Sequence, residues 1–131
     1  MKKLTEKDYQ KWIEEIVEKW KPVLFLDIYY IKIEKTTKAG ETTYLSIKSN
    51  HPYVDALILW TKASFDEWKK QDDPLMREQE IVHELCHIIT DPLYFLTHDR
   101  YVTKTEVNDQ REELTDKIAN IVFKLTNNAK I

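Results

Sequence analysis

The chain has 131 residues, a formal net charge of −3 and one cysteine. With 42% hydrophobic and 33% charged residues it reads as one soluble globular domain over 1–131. The mixed charges form no basic block, which excludes nucleic acid as the expected partner. The longest apolar run, Val23-Leu24-Phe25-Leu26, stops at Asp27 and is too short to span a bilayer, so no membrane association is expected. From Met1-Lys2-Lys3-Leu4, with no apolar run after it, no secretory signal is expected. Cys86, being alone, forms no internal disulfide. These features lead to the expectation of a cytoplasmic protein.

In chain order, Thr5 is a helix cap with Asp8 at the third helical position. Tyr9, Trp12, Ile13, Ile16, Val17 and Trp20 follow at helical spacing as one apolar stripe, expected to pack as core, and Pro22 ends the helix. Residues 25–34 read as a strand, with Ile31 and Ile33 alternating with Lys32 and Glu34. Lys38-Ala39-Gly40-Glu41 reads as a turn and 43–49 as the return strand, which predicts a hairpin. Ala56-Leu57-Ile58-Leu59-Trp60-Thr61 is a third strand, and Ser64 is placed as the cap of a short helix over 65–70. Asp72-Asp73-Pro74 starts a helix that is expected to stop near Thr90, before Asp91-Pro92. Residues 93–103 read as irregular and 104–127 as a last helix. The expected class is α+β: an N-terminal helix, a small three-stranded, mainly antiparallel sheet, a central helix and a C-terminal helix.

The central helix carries the chemistry. His83-Glu84-Leu85-Cys86-His87 is an HExxH motif. Residues four apart on a helix lie about 6 Å apart on one face, so two imidazoles so placed can share one tetrahedral Zn²⁺. Glu84, one step round, can reach a water beside the ion without coordinating it, as a general base must. With His83 at zero on a helical wheel, His87 falls near 40°. Ile88, Ile81, Leu85, Ile89, Val82 and Cys86 cover about 140° to 300°. The imidazoles therefore lie off the apolar face, and Cys86 is a small buried hydrophobe rather than a ligand.

Zinc needs a further protein ligand. A metzincin would carry Gly three residues after the second histidine; here it is Thr90, so that pattern fails. His98 is one candidate. The better one lies in Arg111-Glu112-Glu113-Leu114-Thr115-Asp116. Glu112, Asp116, Ala119 and Phe123 form one line, taken to border the stripe Leu114, Ile118, Ile121, Leu125, whereas Glu113 shares a solvated face with Lys117, Asn120 and Lys124. Glu112 is thus expected to point inward. Asp116, one turn on, can accept the free ring N–H of a ligand histidine.

HExxH followed by a helix with Glu, three residues and Asp resembles the gluzincin clan of zinc metallopeptidases. Glu112 comes 25 positions after His87. The element order resembles the minimal forms of that clan, the minigluzincins and the ImmA/IrrE-type HExxH proteins. The resemblance implies a zincin-like fold, zinc held by His83, His87 and Glu112, Glu84 as base, Asp116 orienting a ligand, and hydrolysis of a peptide or protein substrate. It also implies an oxyanion donor near the site, for which Tyr101 comes first and His98 and Tyr94 are alternatives. Zincins pair extended substrate with an exposed edge strand before the HExxH helix, which the resemblance assigns to Ala56 through Thr61. Here an Arg, Arg111, precedes the glutamate where the clan usually has Asn. The alternative is a zinc-binding regulatory or interaction protein of phage or bacterial origin that cleaves one partner or none.

Overall fold

A computed structural model describes residues 3–37, 44–50, 53–97 and 102–128. The Lys38-Ala39-Gly40-Glu41 turn, His98 and Tyr101 lie outside them. The class is α+β: the described residues form four helices and a three-stranded mixed sheet, in the order α1 (Glu6–Trp20), β1 (Tyr30–Lys35), β2 (Leu45–Ser49), β3 (Asp55–Trp60), α2 (Lys62–Lys69), α3 (Pro74–Thr97), α4 (Lys104–Asn128).

Helix α1 forms as its local signals require. Thr5 Oγ1 accepts from the Asp8 N–H while Asp8 accepts from the Thr5 N–H, a reciprocal cap. Its stripe is core: Tyr9, Ile13, Ile16 and Val17 are buried, with Trp12 and Trp20 packed against them. Tyr9 meets Trp60 edge-on at 5.1 Å, and Gln10 ties α1 to the sheet by accepting from Trp60 Nε1 and donating to the Ile33 carbonyl.

The sheet order is β1-β3-β2, so the expected hairpin between the first two strands is replaced by an insertion of β3 between them. β1 runs parallel to β3 and β2 antiparallel to it, correcting the mainly antiparallel expectation. The physical reason is legible in β3. Strands β1 and β2 each offer one apolar face, whereas β3 is apolar on both, with Ala56, Ile58, Leu59 and Trp60 all buried. The register aligns Ile33, Ile58 and Ile47 in one row. That row shares one core cluster with Ile13 of α1 and Ile81, Leu85 and Ile88 of α3. Two helix boundaries also differ from expectation. Thr61 caps α2, and Ser64 is the third residue of the box. Helix α3 continues through Pro92 to Thr97 instead of stopping at Thr90.

Helix α4 packs on α3. Its inward line is Gln110, Leu114, Lys117, Ile121 and Lys124, all partly buried, and Leu114 and Ile121 join the core. Lys124 reaches the Pro22 carbonyl and lies over the Phe25 ring. Ile118, Val122, Phe123 and Leu125 are exposed. Among the described residues no helix is long and apolar enough to cross a membrane.

Candidate metal centre

Helix α3 is set before the site is reached. Asp73 accepts from the Met76 N–H at 3.1 Å and Pro74 takes the first helical position, where a missing N–H costs nothing. Glu78 accepts from Lys19 Nζ at 2.9 Å and Trp20 Nε1 at 2.8 Å, clasping the first turns of α3 to the end of α1. Arg77 donates to the Tyr44 hydroxyl at 2.7 Å and pairs with Glu80 at 3.2 Å, fixing α3 to the start of β2. Ile81, Leu85 and Ile88 are then fully buried. Their burial turns the opposite face, carrying His83, Glu84 and His87, outward.

The two imidazoles stand with ring centroids 4.9 Å apart and planes at 83°. His83 is exposed, and Glu84 and His87 are half-buried. Burial pushes the Glu84 carboxyl above the usual range; the imidazoles of His87 and His83 oppose that shift and the charge of Asp91 adds to it. Cys86 is half-buried against the core with its thiol pushed up by burial, as a structural cysteine should be. A cavity of about 490 Å³ opens beside His83 and Glu84, walled by Tyr44, Leu45, Met76, Gln79 and Glu80.

The remaining sequence-selected residues are placed as follows. Glu112 is 64% exposed, 3.9 Å from Arg111, and Asp116 is exposed on the same face. The expectation that Glu112 borders the inward stripe is corrected. On a helical wheel it stands about 160° from Leu114, because two residues of helix turn the chain through about 200°. Glu113 does pair with Lys117, at 3.4 Å, but Lys117 lies on the inward line rather than in solvent. Tyr94 is exposed. The segment Ala56 through Thr61 is corrected as well: β3 is the central strand, paired on both sides, and cannot accept a further strand. β2 is the edge strand beside α3, and Leu45 at its start lines the cavity.

One residue the sequence reading missed sits beside the histidines. Asp91 Oδ1 lies 3.6 Å from His87 Nδ1, and Asp91 Oδ2 accepts from the Ser49 hydroxyl at 2.8 Å. Its signal was the i, i+4 spacing from His87, hidden by the rule that a helix ends before proline. The donor chemistry of this face, two imidazoles one turn apart, suits a borderline cation such as Zn²⁺. Among the described residues no group of three or more His, Cys, Asp or Glu is disposed around one ion, so a third ligand is not brought to the pair in this arrangement. No family model, no characterised protein and no solved structure matches the chain.

Proposed function

We propose that this chain is a small zinc-dependent peptidase of zincin-like fold, in the manner of the gluzincins, and cytoplasmic. The observation that carries the reading is the HExxH face of α3: two imidazoles 4.9 Å apart, the half-buried Glu84, and a cavity opening beside an edge strand. His83 and His87 would hold the ion. When bound, zinc supplies Lewis acidity and brings the pKa of water toward neutrality.

The protein's own groups do the rest. Glu84 takes the proton of the attacking water and later delivers it to the leaving amine nitrogen. An extended peptide adds by backbone hydrogen bonds to the outer edge of β2, which among the described residues pairs only with β3, with one side chain in the cavity walled by Leu45 and Met76. Tyr101 is the first choice to steady the developing oxyanion, followed by His98 and Tyr94.

The third ligand in this reading is Glu112, with Asp116 orienting a histidine. That requires α4 to roll about its axis so that the line Glu112, Asp116, Ala119, Phe123 turns onto α3. Two features bear on such a roll. On its inward line α4 contributes two apolar side chains to the core, Leu114 and Ile121, beside the Lys124 contacts to Pro22 and Phe25 that a roll would break, and the face carrying Glu112 also carries Phe123, 70% exposed, flanked by Val122, 56% exposed. Burial of Phe123 and Val122 would offset the exposure of Leu114 and Ile121 in the rolled position. The test is a peptide-library assay on zinc-loaded protein. Glu84→Gln abolishes cleavage while leaving zinc bound; undiminished cleavage by that variant would remove Glu84 as the base.

A second reading has its own observation. Tyr94, Phe95, Val122 and Phe123 are all exposed, as on a protein that binds a partner. In that reading the zinc site serves recognition of one partner, and capture of that partner by Glu84→Gln without any cleavage by the unsubstituted protein is the expected result.

A further inference from the structure

Helix α3 does something that its own sequence disfavours. It runs through Pro92, which has no N–H for the Ile88 carbonyl and which biases the preceding residue away from helical angles. In an ordinary helix interior such an interruption kinks or ends the helix. Pro92 and Ile88 line a small space of about 10 Å³ together with Ser49, Tyr29 and Tyr53, and the Ser49 hydroxyl donates to Asp91. The consequence is positional. Only if the helix persists to Asp91 does that carboxylate stand one turn beyond His87, on its face.

We propose that Asp91 is the positioning residue of His87: held from β2 by Ser49, its carboxylate takes the Nδ1 side of the imidazole and so presents Nε2 to a cation. The two carboxylate oxygens divide the work. Oδ2 accepts from Ser49 at 2.8 Å, and Oδ1 faces His87 Nδ1 at 3.6 Å, within ion-pair range and longer than a hydrogen bond. Asp91 is the better-fixed partner, with its side chain 20% exposed against 43% for His87. A metal-ligating histidine ordinarily gives its second ring N–H to such an acceptor, which sets the tautomer and ring orientation. Nothing in HExxH itself supplies an acid at this position; β2 and Pro92 together place it. The inference rests on the zinc reading for its purpose but not for its geometry.

The experiment separates the two. Nitrogen-15 NMR of the metal-free full chain at about pH 8, where imidazole is neutral, reports which ring nitrogen of His87 carries the proton. The unsubstituted protein shows Nδ1–H; Asp91→Ala shifts His87 toward Nε2–H, and Asp91→Asn, which keeps an acceptor oxygen, holds Nδ1–H. Ser49→Ala gives an intermediate population. Zinc affinity, measured by competition with a chromophoric chelator, falls about 10- to 100-fold in Asp91→Ala and less in Asp91→Asn. Urea midpoints for each variant identify any that has unfolded, and Ser49→Ala is the milder substitute there. An identical His87 tautomer in the unsubstituted protein and Asp91→Ala overturns the proposal and leaves Asp91 as a staple between α3 and β2. Absence of zinc binding in the unsubstituted protein, with the tautomer shift intact, instead defeats the zinc reading alone.

Discussion

Replacing Glu78 by Ala should lower stability by about 2 kcal/mol at neutral pH. The carboxylate accepts from Lys19 Nζ at 2.9 Å and Trp20 Nε1 at 2.8 Å. A hydrogen bond to a charged group contributes about 1.5–3 kcal/mol when shielded. The Glu78 side chain is 19% exposed, but Lys19 is 60% exposed, so the ion pair is largely screened and the indole bond dominates. For a chain of this length about 2 kcal/mol corresponds to a fall of about 7 °C in Tm. The pH dependence carries the sharper test. Hydrogen bonds from Lys19 and Trp20 hold the Glu78 carboxyl below its ordinary 4.5. A carboxylate with a depressed folded pKa stabilises above the unfolded value, and that contribution is lost as pH falls through the folded one. The difference between the two proteins should therefore be full at pH 7 and shrink below about pH 4. Urea unfolding followed by far-UV circular dichroism at pH 7 and pH 3 measures it. A difference under about 0.5 kcal/mol at pH 7, the range of an ordinary surface substitution, or one that is unchanged at pH 3, would refute the reasoning.

Ile13→Ala should cost about 3 kcal/mol in the same assay, because Ile13 is wholly buried between α1 and the sheet and the void cannot be refilled without moving both. Phe123→Asp discriminates the rolled and unrolled positions of α4. It should change metal-free stability by less than about 0.5 kcal/mol, since Phe123 is exposed there, yet weaken zinc binding at least tenfold; equal zinc affinity would show that α4 keeps its present face.

What was legible in the chain was local. The Thr5–Asp8 box and the Tyr9-to-Trp20 stripe specify α1 within a few residues of its observed ends. Likewise Asp73-Pro74 and the apolar arc around Ile81, Leu85 and Ile88 specify which side of α3 is buried and which carries the histidines. Strand pairing was not local. The alternation in β1 and β2 shows which face each buries but not which neighbour each takes, and the two-sided apolar character of β3 was the clue to its central place. Pro92 defeated a local rule: α3 runs on through it to Thr97, where Pro92 lies beside Ser49, Tyr29 and Tyr53. With the helix end misplaced, Asp91 was invisible as a neighbour of His87. The facing of α4 was misjudged for a different reason. Lys117 and Lys124 can lay their methylene stems along the inner side while their ammonium groups reach Glu113 and the Pro22 carbonyl, so a lysine does not mark a solvated face.

The central claim is that His83, His87 and Glu112 converge on one Zn²⁺. Equilibrium titration of the metal-free protein with zinc, read against His83→Ala, His87→Ala and Glu112→Ala, tests it directly. The expected result is one ion per chain and a loss of affinity of at least tenfold in all three variants. Substoichiometric zinc in the unsubstituted protein, or affinity undisturbed by Glu112→Ala, would contradict it.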